Sequence, residues 1–167
     1  KHPNYPVLPP IHTNIQNLPL KDIPWEFFER LCVKITIKNP EFINPSIFGV
    51  KGDKQYGIDI FARLKDKQNR YATFQCKKVE KFGVGELRAA VKKFLEGEFK
   101  DKSDKFIIYT SFHCRRAKLL AEIEKIKDEF LAQGIQFEVW DDVRISDELK
   151  SYPELVYDFF NKEWLSL

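Results

Sequence analysis

Apolar residues recur at three- and four-residue spacing through Trp25, Phe28, Leu31, Cys32 and Ile35, the period of a helix with one buried stripe. Asp22 is a candidate cap, Pro24 suits a first turn, and Asn39-Pro40 should stop the helix. The period then changes. Ile47-Phe48-Gly49-Val50 reads as a short strand, and from Tyr56 to Leu64 the residues Ile58, Ile60 and Ala62 alternate with Asp59, Phe61 and Arg63. Alternation of this kind is the mark of a strand with one buried face. The polar run Asp66-Lys67-Gln68-Asn69 is a turn, and Arg70 to Val79 is the returning strand.

Gly83 and Gly85 precede a helix from about Glu86 to Glu96, with Leu87, Ala90, Val91, Phe94 and Leu95 on one stripe. Phe106-Ile107-Ile108-Tyr109-Thr110 is continuously apolar, as in a central strand buried on both faces. Ser111 can cap a helix from about Arg115 to Gln133 whose stripe is Leu119, Leu120, Ile123, Ile126, Phe130 and Leu131, and Gly134 stops it. Ile135 to Trp140 is a further strand, Asp141-Asp142 open helical sequence reaching Lys150, and Pro153 opens a last helix toward Trp164. The order α-β-β-β-α-β-α-β-α-α predicts an α/β fold with a mixed central sheet flanked by helices on both faces.

The N-terminal segment breaks the pattern. Six of the nine Pro lie at 3, 6, 9, 10, 19 and 24, which favours extended chain. Val7, Leu8, Ile11, Ile15 and Leu18 give it an apolar side, so residues 1–21 are expected to be an arm docked on a domain of residues 22–167. A length of 167 residues suits one domain. The absence of Met and the start at Lys1 suggest a segment of something longer, or a chain that has lost its initiator.

Composition changes the picture little. An aromatic content of 14% supplies a core and excludes global disorder, and no apolar run approaches the ~20 residues of a membrane span. Three widely spaced cysteines, Cys32, Cys76 and Cys114, fit neither a disulfide scaffold nor a zinc site and suggest a cytoplasmic protein. The formal charge is only +3, but residues 77–105 hold nine Lys/Arg against six Asp/Glu and so carry the whole excess. Lys77, Lys78, Lys81, Arg88, Lys92 and Lys93 can form a phosphate-tracking face. Arg115, Arg116 and Lys118 fall in the expected first turn of a helix, where the dipole disfavours cations, and phosphate contact accounts for them there as well as plain solvation does. His2, His12 and His113 form no catalytic arrangement, and no phosphate-loop glycine pattern occurs.

The hairpin carries the candidate chemistry. Gln75 and Lys77 share one face of their strand, with Phe74 and Cys76 on the other. An even register sum, which needs an odd-length turn or a bulge, would set Asp59 directly across from Gln75 or Lys77. A carboxylate and an amide oxygen are hard ligands suited to Mg²⁺ or Mn²⁺, and an adjacent Lys can orient water. The competing reading is an Asp59–Lys77 salt bridge with Gln75 as a surface residue. The glycine-punctuated approach Gly49 to Gly57 can let a phosphate backbone come close.

The run Gly57-Ile58-Asp59-Ile60, with Gln75-Cys76-Lys77 following, resembles the PD-(D/E)xK nuclease superfamily. It is nearest the Mrr-type restriction endonucleases, in which Gln often replaces the second acid. The resemblance covers about Pro24 to Trp140 and implies a restriction endonuclease-like αβββαβ core. It implies an Mg²⁺-dependent endonuclease (Mn²⁺ substituting) that cuts double-stranded DNA, with catalytic Glu29, Asp59, Gln75 and Lys77. Asp59, Gln75 and the backbone carbonyl of Cys76 would hold the metal, and Lys77 would position the attacking water. The family's acid on the first helix is matched by Glu29, with Glu26 one turn earlier as competitor. Lys78, Lys81, Arg115 and Arg116 are the nominated DNA contacts. The resemblance also implies restriction or antiphage defence, a homodimer or higher oligomer, and no membrane partner. Gln75 removes one negative charge from the site, which motivates two alternatives: an inactive nuclease-like binding or assembly module, and a nuclease for RNA or junctions.

Overall fold

The computed structural model describes residues 4–8, 17–49, 57–161 and 164–165. Its elements are α1 (Trp25–Lys38), β1 (Phe42–Ile47), β2 (Ile60–Leu64), β3 (Tyr71–Lys77), α2 (Val84–Glu96), β4 (Ser103–Thr110), α3 (Ala117–Leu131), β5 (Gln136–Trp140), α4 (Asp142–Leu149) and α5 (Pro153–Phe159). The strands form one sheet in the order β1-β2-β3-β4-β5. The first three make an antiparallel meander, and β4 and β5 join parallel to β3 through α2 and α3. The fold is therefore α/β with a mixed sheet, as the hydrophobic pattern predicts.

Two apolar clusters lie on opposite faces of the sheet. Phe74, Cys76, Ile107 and Tyr109 pack on one face with Phe28, Leu31 and Ile35 of α1 and with α4 and α5. Phe106 and Ile108 pack on the other with Leu87, Val91 and Phe94 of α2 and Ile123, Ile126 and Phe130 of α3. β4 is buried at nearly every position, which explains its unbroken apolar run. Within the first cluster Thr36 Oγ1 donates to the Cys32 carbonyl at 2.7 Å and lies 3.0 Å from Tyr109 Oη.

Where described, the N-terminal arm is docked. Tyr5 donates to the Phe159 carbonyl at 2.7 Å, Asn161 donates to the Val7 carbonyl at 3.1 Å, and Leu18 is buried. Leu8 is exposed. Ile11, Ile15, His2 and His12 lie outside the described residues, as do residues 50–56 of the glycine-punctuated approach.

Several boundaries depart from the sequence pattern. Asp22 belongs to a separate 3-10 turn and caps nothing; Pro24 occupies the N-cap of α1, and Leu20 and Ile23 fill the core where Trp25 was expected. Trp25 is exposed at the first helical position. β1 spans Phe42–Ile47, so of the expected strand 47–50 it includes Ile47 alone; Phe48 and Gly49 lie past its end, and Val50 lies outside the described residues. Asn44, at φ 50°, and a register shift between Ile43 and Ser46 absorb Pro45, which an edge strand tolerates. Ser111 is buried and caps no helix: Phe112 N–H turns back to Thr110 Oγ1, and the chain stays extended until α3 begins at Ala117. Leu120 and Leu131 point to solvent. No helix among the described residues is long and apolar enough to cross a membrane.

Candidate active site

The expected residues meet at one end of the sheet. Because β2 and β3 are antiparallel, the start of β2 adjoins the end of β3. The pairing Ile60↔Phe74 has an even sum, and Asp59 precedes it, its N–H bonded to the Phe74 carbonyl and its carboxylate to Cys76 N–H. The odd loop required for this is present: Leu64 N–H donates to the Arg70 carbonyl and encloses residues 65–69.

Asp59 sits just outside the regular ladder and is fixed by three bonds. Its N–H donates to the Phe74 carbonyl at 2.8 Å, and its carbonyl accepts from Phe48 N–H at 2.8 Å. Its Oδ2 accepts from Cys76 N–H at 2.7 Å. The alternation expected from Ile58 to Ala62 is broken here: Ile60 and Ala62 face the α1 cluster, whereas Ile58 packs in the α2–α3 cluster. The step follows Gly57 at φ +73°. A Cβ on Gly57 would lie 2.9 Å from Lys93 Cβ and 3.4 Å from Gln75 Nε2. Glycine therefore supplies both the left-handed backbone and the close approach of the hairpin to α2.

Gln75 is only 4% exposed, and its Oε1 has no hydrogen-bond partner among the described residues. A buried amide oxygen left this way costs about 1–3 kcal/mol. Lys77 is half-buried on the same face, and Lys93 of α2 stands close enough for its charge to act on both Lys77 and Asp59. Among the ion pairs of the described residues none joins Asp59 to Lys77, so the simple salt-bridge reading fails. Lys93 was expected only as part of a basic face; its place at the site depends on the approach at Gly57.

From the opposite face, α1 contributes Glu29. Glu29 is half-buried while Glu26 is exposed. Burial raises the Glu29 pKa, and the charges of Asp59 and then Glu26 add to the effect. Burial likewise raises the Asp59 pKa, opposed by the Cys76 N–H and by Lys77 and Lys93. Lys77 is shifted down by burial and by Lys93, opposed by Asp59. Cys76 buries its thiol against Cys32, and that burial together with the thiol–thiol hydrogen bond pushes its pKa well up. These are structural thiols, inert as nucleophiles.

The expected basic face is only partly present. Arg88 is bound to Glu122 and Glu129 of α3 and is not available. Lys92 pairs with Glu96 at 3.8 Å, as a solvated helix face would. Lys81 is mostly exposed beside Glu86, and Lys78 is half-buried. Arg115 and Arg116 are exposed but precede α3, so only Lys118 stands in its first turn.

Among the described residues, His113, Asp141 and Asp142 are the one His/acid group compact enough to hold a metal. Three of its four carboxylate oxygens are already engaged. Asp141 accepts from Arg144 and Cys114 N–H, and Asp142 is bonded to His113 and Val143 N–H. The orphan oxygen of Gln75 makes the Asp59 site the better match for a cation. No protein-family model, curated protein or solved structure matches this chain.

Proposed function

We propose that this chain is a metal-dependent endonuclease domain with a restriction endonuclease-like αβββαβ core, acting on double-stranded DNA. The observation that carries the reading is the buried Gln75 Oε1, unpartnered among the described residues, next along β3 to Cys76, whose N–H binds the Asp59 carboxylate. Asp59, Gln75 and the Cys76 carbonyl offer hard oxygen donors for Mg²⁺ or Mn²⁺, and Glu29 adds a second acid from α1. A bound divalent ion supplies charge neutralisation at phosphate and lowers the pKa of water.

The chain's own groups supply the rest. Cys76 N–H aims the Asp59 carboxylate. Lys77, with its pKa lowered, is suited to holding a water and passing a proton, and Lys93 adds positive charge for the phosphate. Lys78, Lys81, Arg115 and Arg116 lie on the same end of the sheet and are the proposed DNA contacts. A place in cytoplasmic restriction or antiphage defence, as a dimer or beside further domains of a parent chain, belongs to the same proposal.

Incubation of supercoiled plasmid with Mg²⁺, Mn²⁺ or EDTA tests this. Nicking that requires metal and is lost in Asp59→Ala and Lys77→Ala supports it. Metal-independent nicking, or nicking that survives Asp59→Ala, refutes it. A second reading, a binding module of the same fold, is favoured by one observation: the amide at Gln75 leaves the site one acid short. DNA retention unaffected by metal, without nicking, would establish that reading.

A further inference from the structure

Two cavities adjoin the candidate site. Both lie where the loops after the parallel strands β3 and β4 emerge, the end at which α/β sheets bind ligands. Ser111 N–H donates to the Lys77 carbonyl at 3.1 Å, so the Cα of Phe112 lies within about 10 Å of that of Lys77 by backbone dimensions. The first cavity, about 450 Å³, is apolar within: Phe82 and Leu119 are buried there, and Val84 and Phe112 edge it. That volume falls in the range of small-ligand sites, ~300–1,000 Å³. Lys81, Arg116 and Lys118 line it against a single acid, Glu80.

The second cavity, about 440 Å³, shares Phe112 and Arg116 with the first and is polar. Lys21, Arg115 and His113 line it with Asn17. Its one acid, Asp142, is already bonded to His113 and to Val143 N–H. Neither Arg115 nor Arg116 has an ion-pair partner among the described residues. Beside them α3 starts with no side-chain cap and no acid in its first turn, so its free N–H groups favour an anion.

An apolar, aromatic-edged cavity and a cationic cavity on either side of one Phe-Arg wall match the two halves of a nucleotide. We propose that they receive one unstacked nucleotide of the bound DNA strand, its base against Phe112 and its phosphate among Arg115, Arg116 and Lys21. The inference rests on the nucleic-acid reading above and deepens it: the chain would favour DNA in which a base near the cut leaves the stack easily. Mismatched bases do so at lower cost, and stacking on an aromatic ring recovers part of that cost.

Binding is measured by fluorescence anisotropy in EDTA, using the full chain and a labelled duplex. The duplex is perfect, carries one mismatch, or carries an abasic site at the same position. The expected result is about tenfold tighter binding of the mismatched than of the perfect duplex, with the abasic duplex weaker than the mismatched. Phe112→Ala should remove the difference. Val84→Trp, which fills the apolar cavity from an exposed position, should do the same without removing a packed ring. Equal binding of the three duplexes, a preference that survives both variants, or no binding to any of them overturns the inference. Binding of AMP at the site without preference among the duplexes marks a free-nucleotide site and also overturns it. The readout uses no metal, so the two proposals separate: discrimination without nicking keeps the pocket and removes the nuclease, and nicking without discrimination does the reverse.

Discussion

The carboxylate of Asp59 accepts the backbone N–H of Cys76 at 2.7 Å. The residue between Gln75 and Lys77 thus aims the acid that precedes β2. The bond ties the chemistry to the register of the β2–β3 hairpin, and the substitutions below follow from it.

Asp59→Asn keeps an acceptor for Cys76 N–H and removes a buried charge. The Asp59 pKa is raised in the folded state. Its contribution to stability is therefore fully present below the unfolded value, 3.8, and is lost as pH rises through the folded value. Without metal, Asp59→Asn should be more stable than wild type at pH 7.5, on the order of 1 kcal/mol or a Tm rise of about 2–4 °C. The advantage should shrink toward pH 4. Melting curves in EDTA across that range check this, and an Asp59→Asn protein less stable at pH 7.5 would contradict it.

Gln75→Leu removes an oxygen that none of the described residues satisfies. Replacing an unsatisfied polar group by an apolar one of similar shape is neutral or stabilising. The variant should hold or gain up to about 1 kcal/mol in urea unfolding, yet lose metal-dependent nicking. Gln75→Glu adds a charge beside Asp59, so it should tighten Mn²⁺ binding at pH 8 at least tenfold and lower stability in EDTA.

Gly57→Ala tests the approach of the hairpin to α2. The residue sits at φ +73°, and the new Cβ would meet Lys93 Cβ at 2.9 Å. Left-handed backbone costs a non-glycine residue on the order of 1–3 kcal/mol. Urea unfolding should show a loss of that size, and nicking should fall because Lys93 and Gln75 are displaced.

Arg88→Ala and Arg116→Ala separate structural from DNA-facing cations. Arg88 is held by Glu122 and Glu129, so its loss should cost about 0.5–1 kcal/mol of stability and leave DNA affinity unchanged. Arg116 has no such partner. Its loss should weaken duplex binding and reduce the slope of log K against log salt by about 1.

Much of this was legible in the chain. Apart from β1, the strands and α-helices appear in the order that hydrophobic period gives, because long one-sided stripes such as Leu87 to Phe94 leave few alternatives. The convergence of Asp59 with Gln75 was readable only as a condition on register, since parity depends on the loop 65–69. Other features were hidden for physical reasons. Pro45 and Asn44 disguised β1, whose edge position tolerates them. Ser111 has the chemistry of a cap but was drawn into the core. The partners that neutralise Arg88 lie more than thirty residues away on another helix, beyond the reach of local pattern. Phe112, central to the two cavities, carries no signal at all in a sequence with fifteen Phe.

Asp59 and Gln75 are proposed to hold a divalent cation. Calorimetric titration of Mn²⁺ into wild type, Asp59→Asn and His113→Ala at pH 7.5 tests it most directly. The expected result is one binding event in wild type, kept in His113→Ala and abolished in Asp59→Asn. No binding to wild type, or binding that survives Asp59→Asn and disappears in His113→Ala, would contradict it.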